Sequence, residues 1–205
     1  KHYHMQSKVI LITTAILIIA PAVFFFACDF GNLPAGKRLL ASVFQSVTTR
    51  TAGFNTEDLS LMTEAGKAVM ILLMLIGGSP SSTAGGMKTT TFAVLILNAL
   101  ATFRSREDAG AFGRRFDGQV VKNAATIAMM YFMLFFFGGI TISVYEGLPL
   151  LTCLYEAASA VGTVGLTLGI TPELHIISRL ILIALMYLGR VGGMTLIYAV
   201  FSRKN

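Results

Sequence analysis

The sequence has few charged residues and no polar stretch long enough to form a domain of its own. Charged side chains make up 13% of the 205 residues, whereas hydrophobic ones make up 55%, and the mean hydropathy is +0.73. A soluble domain of this size cannot hide so much apolar surface in one core. These shortages exclude an ordinary soluble protein and predict an integral membrane protein without a separate soluble domain.

Residue types used for catalysis and metal binding are also scarce. The two cysteines, Cys28 and Cys153, lie far apart at apolar positions, which predicts free core thiols rather than a disulfide. The three histidines, His2, His4 and His175, form no H-x-x-E-H type cluster, so they cannot build a zinc site. The G-x-S-x-G pattern of a serine hydrolase is absent. The prediction is therefore a protein that is not an enzyme and has no cofactor.

Hydropathy predicts four membrane spans, of which the second is interrupted. Their approximate bounds are residues 9–27, 65–103, 120–145 and 175–201. Two further apolar segments, at 37–47 and 148–160, are too short to cross a bilayer. The first residue is Lys1 rather than methionine, so we expect the sequence to be a piece of a longer protein.

The distribution of charge predicts the orientation of these spans. Basic residues are concentrated at both chain ends and in the linker FRSREDAGAFGRRFDG, residues 103–118. By the positive-inside rule, this linker and both ends are cytoplasmic, and the two short segments face outward. The net charge of +6 is largely this inside bias, so it does not indicate nucleic-acid binding. The predicted division is a membrane unit at 1–103, a linker at 104–118 and a second membrane unit at 119–205.

The two halves of the sequence resemble each other. The stretch Thr51-Ala52-Gly53-Phe54 can be overlaid on Thr163-Val164-Gly165-Leu166, where 163 minus 51 gives an offset of 112. The preceding segments, SVFQSVTT and CLYEAASA, match at an offset of 111. A repeat with the same orientation in both halves predicts a quasi-rotational axis along the membrane normal.

The two T-x-G turns predict a place where backbone carbonyls meet a cation. Irregular backbone is tolerated at membrane depth where it is buried in protein or lines water. Glycine permits dihedral angles that aim successive carbonyls the same way, and several such turns around an axis can replace the hydration shell of an ion. A single T-x-G is a common loop sequence; two in register favour a filter. The predicted filter residues are Thr51, Ala52, Gly53, Phe54, Thr163, Val164, Gly165 and Leu166, with Phe54 and Leu166 expected to wedge each turn against the helices.

The stretch GGSPSSTAGGMKTTT, residues 77–91, predicts a break in the second span. Its glycines and Pro80 destroy helical continuity, and its hydroxyls can satisfy the freed backbone groups. The break is either a flexible gate beneath the filter or a rigid kink for packing, and the gate is favoured. The predicted gate residues are Gly77, Gly78, Ser79, Ser81, Ser82, Thr83, Gly85, Gly86 and Arg190.

Arg190 lies inside the last predicted span, between Gly189 and Gly192. A charge at that depth is costly, so it is expected to face a cavity and to donate to the carbonyls or hydroxyls of the loop. Its positive field would form an electrostatic barrier to cations, although a structural anchor is the alternative. Lys88 is expected to snorkel toward the cytoplasmic side.

Four stretches of the sequence resemble the Trk/Ktr/HKT superfamily of cation transporters, and most closely the bacterial Ktr/Trk-type potassium-uptake subunits. They are SVTTRTAGFNT, SAVGTVGLT, GGSPSSTAGGMKTTT and LGRVGGMT. The resemblance implies an all-α membrane fold of helix, pore helix, filter and helix, repeated four times, with the present sequence similar to repeats three and four. It also implies potassium as the transported ion and the bacterial cell membrane as the location.

The resemblance further implies partners. Two repeats are missing, so either an N-terminal half of the same protein or a second copy of this chain completes the pore, and the first is favoured. A homodimer with one pore per subunit is expected, as is a cytoplasmic nucleotide-binding regulatory subunit docked near the linker 104–118.

Several alternatives remain open at this stage. A sodium-selective or sodium-coupled transporter of the same superfamily is one, and a secondary transporter with broken helices is another. The second is disfavoured because the acids, apart from Glu156, lie in loops or near span ends. Glu156 is a candidate ion-pair partner of Arg50. Asp29, Glu57, Asp58 and Glu64 are expected to form a solvated outer rim.

Overall fold

The computed structural model describes residues 5–105, 110–112 and 114–192, and most of this chain is α-helical. Its helices are α1 (Met5–Cys28), α2 (Ala35–Thr48), α3 (Glu64–Leu75), α4 (Thr89–Phe103), α5 (Gly118–Glu146), α6 (Leu150–Val161) and α7 (Ile176–Val191). Short 3-10 helices cover Leu59–Leu61 and Thr171–Glu173. Two short antiparallel strands, β1 (Gly110–Ala111) and β2 (Arg114–Arg115), lie between α4 and α5. The predicted all-α class is confirmed.

The same order of elements occurs twice, as a long helix, a short helix, a turn and a further helix. In the first unit, α1 packs against α2; in the second, α5 packs against α6. The units contact each other through α3 and α6, and α4 packs against both α1 and α5. The short helix of the second unit therefore lies in the middle of the described structure.

Two described helices, α1 and α5, are long and apolar enough to cross a membrane. The second predicted span is interrupted as expected, because α3 ends at Leu75 and α4 begins at Thr89. The fourth predicted span is helical from Ile176 to Val191, and its remaining residues, 193–201, lie outside the described part of the chain.

The two short helices differ in burial. Every residue of α6 from Tyr155 to Val161 is buried, because α3, α5 and α7 surround it. Helix α2 instead leaves Leu39, Leu40 and Val47 largely exposed on one face. The short helix of the second unit is thus covered by α3 of the first unit, whereas an apolar face of the short helix of the first unit is exposed in the described structure.

An acidic side chain at the end of each long helix caps the third helix of the same unit. Asp29 accepts hydrogen bonds from the backbone N–H and hydroxyl of Thr63, both at 2.8 Å, at the start of α3. Glu146 accepts from the backbone N–H of His175 at 2.9 Å, at the start of α7. Free N–H groups and the helix dipole both favour a carboxylate there. Asp29 is therefore part of a helix cap, and the prediction of a purely solvated rim is wrong for this residue.

Both cysteines are free, as predicted. Cys153 is buried in α6, whereas Cys28 is exposed at the end of α1. The prediction of a core position is therefore wrong for Cys28.

Candidate functional site

The two T-x-G turns have matching backbone conformations. Thr51 and Gly53 have φ angles of 66° and 74°, and Thr163 and Gly165 have φ angles of 51° and 95°. The intervening residues, Ala52 and Val164, do not have positive φ. A left-handed conformation at a threonine is strained, so its occurrence at the same place in both turns indicates that the surrounding structure imposes it. The match follows the offset of 112 that the sequence predicts.

Each turn is tied to the short helix before it by a hydroxyl-bearing residue. The Thr48 hydroxyl donates to the carbonyl of Phe54 at 2.6 Å, and the Thr48 carbonyl accepts from the N–H of Gly53 at 3.1 Å. The Ser159 carbonyl accepts from the N–H of Val164 at 2.9 Å, and its hydroxyl accepts from the N–H of Gly165 at 3.2 Å. These two residues correspond at the offset of 111. Sequence reasoning missed them, although the hydroxyl one turn before each T-x-G was a usable signal.

The two turns lie against each other. A Cβ on Gly53 would overlap the carbonyl oxygen of Val164, and the carbonyl carbon would be farther away, at 3.2 Å. The Val164 carbonyl therefore points at Gly53. A Cβ on Gly165 would instead have no atom within 4 Å, so the second turn has an open flank.

The prediction that Phe54 and Leu166 pack each turn against the helices holds for the second turn. Leu166 is buried, with 3% of its surface exposed, whereas Phe54 is 71% exposed. The side of the first turn that carries Phe54 has no described neighbour to cover it, so the prediction is wrong for Phe54.

The segment between α3 and α4 forms a loop with a closed neck. The Gly77 N–H donates to the carbonyl of Met87 at 2.8 Å, and the Met87 N–H donates to the carbonyl of Leu75 at 3.1 Å. Within the loop, the Ser82 hydroxyl donates to the carbonyl of Ser79 at 2.6 Å, and Ser81 has a φ of 67°. The loop satisfies much of its own backbone, as irregular structure at membrane depth requires.

The loop packs on the second turn. A Cβ on Gly85 would overlap the hydroxyl of Thr163, and one on Gly86 would be 3.5 Å from the α-carbon of Gly162. The contact is with the first residue of the turn, at the end opposite Leu166. The predicted gate residues and the predicted filter residues are therefore in direct contact at Gly85 and Thr163.

Two positively charged side chains, Arg190 and Lys88, bond to the tip of the loop. Arg190 donates from its guanidinium to the carbonyl of Thr83, which agrees with the prediction that loop carbonyls accept from this residue. The Lys88 ammonium donates to the carbonyl of Ala84 at 2.6 Å and to that of Ser82 at 3.3 Å. Lys88 therefore turns back onto its own loop, and the prediction that it snorkels toward the cytoplasm is wrong. The carbonyls freed by the helix break supply acceptors that a snorkelling lysine would leave unpaired.

Arg190 lies next to a point where α7 approaches the end of α6 closely. A Cβ on Gly189 would overlap the carbonyl oxygen of Val161, at the end of α6, and the Tyr131 hydroxyl donates to the carbonyl of Gly189 at 3.3 Å. The glycine beside Arg190 thus lets α7 contact α6 backbone to backbone, as predicted.

The suggested ion pair between Arg50 and Glu156 is not formed, and the two side chains have other partners. Arg50 donates to the carbonyl of Gly77, at the loop neck, over 3.4 Å. Glu156 accepts from Thr167 and Thr171 on the other side of the second turn. The two charges face opposite ends of the turns, so they cannot meet.

A cavity of about 440 Å³ lies along the open flank of the second turn. Its lining runs from Glu156 and Thr171, past Thr163 and Gly165, to Arg190. It therefore connects the turn to the loop-binding arginine. No group of three or more metal-ligating side chains occurs among residues 5–105, 110–112 and 114–192, so the polar atoms that line the cavity are carbonyls, hydroxyls and isolated charges.

Comparison with known sequences decides the family. The family profile described as "TrkH: Cation transport protein" matches residues 4–204. The chain belongs to the TrkH family. This family consists of cation transport proteins and not of enzymes, which confirms the resemblance and the prediction that the protein is not an enzyme.

Two named relatives match nearly the whole of this chain. The potassium/sodium uptake protein NtpJ of Enterococcus hirae is 38% identical over 100% of this chain and 48% of its own length. The Ktr system potassium uptake protein B of Bacillus subtilis is 34% identical over 97% of this chain and 46% of its own length. The chain therefore spans about half the length of the curated relatives that it matches.

A solved TrkH structure confirms the fold. The crystal structure of the potassium transporter TrkH from Vibrio parahaemolyticus matches with a TM-score of 0.74 at 20% identity, over 95% of this chain and 44% of that one. The all-α membrane fold of the TrkH family is thus present in the described residues.

Proposed function

We propose that this chain forms part of a potassium-uptake pathway across the bacterial cell membrane, in which Thr51–Phe54 and Thr163–Leu166 are two strands of a carbonyl-lined selectivity filter. The observation that carries the proposal is the repeated left-handed conformation at Thr51, Gly53, Thr163 and Gly165. A left-handed residue at every second position turns alternate peptide planes over, so that successive carbonyls face one side of the turn. Such carbonyls can replace the hydration shell of potassium.

The contact between the turns supports the same proposal. The Val164 carbonyl oxygen lies where a Cβ on Gly53 would be, so this oxygen of the second turn approaches the first turn with no side chain between them. Glycine at this position allows the close packing that a ring of filter strands needs. The filter residues are then all eight residues of the two turns.

We further propose that residues 77–86 and Arg190 form the gate. The loop touches Thr163 through Gly85, and Arg190 holds the carbonyl of Thr83. A positive charge bound to the loop, next to the cavity along the turn, adds an electrostatic barrier to cations. The closed neck of the loop is compatible with movement of its tip alone.

An N-terminal half of the same protein completes the ring in this proposal. The exposed apolar face of α2 and the open flank of Gly165 are the two ends of a half ring. In the described part, α3 of the first unit covers α6 of the second, so the rotation that relates the units would bring a corresponding helix of another unit onto α2. Residues 1–103 and 119–205 are the two repeats of this half, and 104–118 is a cytoplasmic linker.

Membership of the TrkH family supports a proposal for the remaining partners. We propose a multi-pass protein with both ends of this chain in the cytoplasm, a homodimer with a pore in each subunit, and a cytoplasmic nucleotide-binding regulatory subunit. The basic residues of the linker are the proposed docking region for that subunit.

Sodium transport is the second candidate. The Enterococcus hirae relative is named a potassium/sodium uptake protein, and Gly53 and Gly165 represent two of the four filter strands in the proposed ring. A carrier coupled through an intramembrane acid is less well supported, because the buried Glu156 is already bonded to three donors.

Uptake measurements test the proposal. The protein is expressed from its complete gene in a bacterial strain that lacks its own potassium-uptake systems, and radioactive rubidium uptake is measured with increasing sodium. We expect growth at low potassium and rubidium uptake that sodium inhibits poorly. Gly165→Ser should weaken this discrimination. Two results would contradict the filter assignment. One is wild-type uptake that does not discriminate rubidium from sodium, and the other is a discrimination that Gly165→Ser leaves unchanged.

A further inference from the structure

Glu156 has an unusual environment for an acidic residue in a membrane protein. Its surface is 4% exposed, and it lies in α6, the short helix of the second unit. No ion pair to Glu156 is formed by any residue in the ranges 5–105, 110–112 and 114–192. A buried carboxylate without a cation is costly unless hydrogen bonds compensate it. The partners that compensate Glu156 therefore indicate its role.

All three partners of Glu156 lie just beyond the second filter turn. Its Oε1 accepts from the Thr167 hydroxyl at 2.7 Å and from the Leu168 N–H at 2.9 Å. Its Oε2 accepts from the Thr171 hydroxyl at 2.8 Å. Both oxygens are used, and hydrogen bonds to a carboxylate are stronger than those between neutral groups. The side chain thus fixes the outer end of the segment that contains Val164 and Gly165.

Glu156 and Ser159 act along the same turn. Positions three apart on a helix share a face, and Ser159 accepts from the N–H groups of Val164 and Gly165. One face of α6 therefore bonds the turn at its middle through Ser159 and at its outer end through Glu156. The two attachments, at Ser159 and at Glu156, therefore hold the backbone of residues 163–166 in place.

The first unit lacks this attachment. Gln45 occupies the position that corresponds to Glu156 at the offset of 111, and it is 1% exposed. Its amide nitrogen donates to the thioether of Met70 at 3.4 Å, and its amide oxygen has no partner. Gln45 makes no hydrogen bond to the segment after the first turn. The chain therefore contains a matched pair of positions, one attached to its filter strand and one not.

We propose that Glu156 is a positioning residue for ion selection, whose carboxylate sets the spacing of the carbonyls of Thr163–Leu166 through Thr167, Leu168 and Thr171. This inference rests on the proposed filter function of the turn. Discrimination between potassium and sodium depends on small differences in the number and spacing of carbonyl ligands, so release of the outer end of the strand lowers discrimination first. Glu156 touches no ion in this account.

The test compares Glu156→Ala, Glu156→Gln and Gln45→Ala in the protein expressed from its complete gene, at equal abundance in the membrane. The measurements are the maximal rate and KM of rubidium uptake and the sodium concentration that halves it. We expect sodium to inhibit Glu156→Ala at about tenfold lower concentration, the equivalent of one charge-assisted hydrogen bond. Glu156→Gln should lie between Glu156→Ala and wild type, because one amide oxygen can still accept from Leu168. The sodium concentration that halves uptake by Gln45→Ala should stay within about twofold of the wild-type value, because the Gln45 side chain makes no hydrogen bond to the first turn.

A general loss of packing predicts a different pattern. It would lower the maximal rate of both alanine variants and leave sodium inhibition unchanged, and that result would overturn the proposal. If Glu156→Ala does not reach the membrane, Thr171→Val decides: it keeps the carboxylate and removes one donor, and we expect roughly threefold stronger sodium inhibition. Unchanged inhibition in Thr171→Val would also overturn the proposal.

The Gly165→Ser variant separates this inference from the proposed function. If Gly165→Ser loses discrimination and the Glu156 variants keep it, the filter stands and the role of Glu156 is wrong. If wild type itself does not discriminate, or Gly165→Ser has no effect, the filter assignment fails and the inference fails with it.

Discussion

The carbonyl oxygen of Val164 occupies the space that a Cβ on Gly53 would fill, although the two residues lie far apart in the sequence. This contact brings equivalent segments of two repeated units together without any intervening side chain. It makes the geometry of each turn dependent on its neighbour, and several expectations about variants follow from it.

Gly53→Ala should disrupt the contact between the turns. The new Cβ overlaps the Val164 oxygen, and the φ of 74° is itself unfavourable for alanine, which costs about 1–2 kcal/mol before any overlap. We expect a lower melting temperature in detergent and loss of rubidium uptake. Gly31→Ala is the matched control, since a Cβ there has no atom within 4 Å. Equal behaviour of the two variants would show that the close approach is unimportant.

Gly165→Ala tests whether the ring is closed by another unit. In the described part of the chain a Cβ at this position meets nothing within 4 Å, so the cost would be limited to its left-handed backbone, about 1–2 kcal/mol. If a further filter strand occupies the open flank, as proposed, the variant will be as damaging as Gly53→Ala in the complete protein. A distinctly milder melting-temperature change would argue that the flank stays open.

Gly85→Ala should lift the loop away from the second turn. Its Cβ overlaps the Thr163 side chain, including the Thr163 Cβ. Rotation of that side chain cannot move its Cβ, so the loop has to shift. If the loop is a gate, the maximal rate of rubidium uptake should rise several-fold, by analogy with loop motions that limit turnover. A rate equal to that of a Gly118→Ala control, where a Cβ meets no atom within 4 Å, would favour a rigid kink.

Arg190→Gln distinguishes an electrostatic barrier from an anchor. The variant removes the positive charge and keeps a donor for the carbonyl of Thr83. A barrier predicts a rise in uptake of about tenfold, since one charge in a narrow, poorly screened path contributes on the order of 1–2 kcal/mol. Arg190→Lys, which keeps the charge, should remain near the wild-type rate. A fall in rate for both variants would instead identify an anchor.

Asp29→Ala should destabilise the first unit without changing ion selection. It removes both hydrogen bonds to Thr63 at the start of α3, and the loss of a helix cap typically costs about 1 kcal/mol. The measurement is the melting temperature of the purified protein, with Glu57→Ala on the same side as the control. Altered sodium inhibition in Asp29→Ala would show that the cap also acts on the filter.

Glycine patterns and hydropathy were enough to predict where the regular structure breaks. The T-x-G turns and the loop after Leu75 lie where the sequence indicates, because glycine and proline act on the backbone locally. The depth of Arg190 in its helix likewise predicted a loop carbonyl as its partner. The roles of these residues as filter and gate stay predictions.

Partners of charged residues were not predictable in the same way. Glu156 bonds to Thr167 and Thr171, and Asp29 bonds to Thr63, 34 residues later in the chain. Such contacts depend on how a chain returns after a turn, which hydropathy does not encode. The choice of Arg50 for Glu156 followed from charge alone, and it was wrong because the two side chains face opposite ends of the turns.

The hydrogen bonds between Gly77, Met87 and Leu75 close the loop at its base. Thr89 also donates its N–H to the carbonyl of Gly78 at this base, so a movement confined to residues 79–86 would leave both flanking helices in place. Such a movement would break the hydrogen bonds that Arg190 and Lys88 donate to the carbonyls of Thr83, Ala84 and Ser82, and it would separate Gly85 from Thr163.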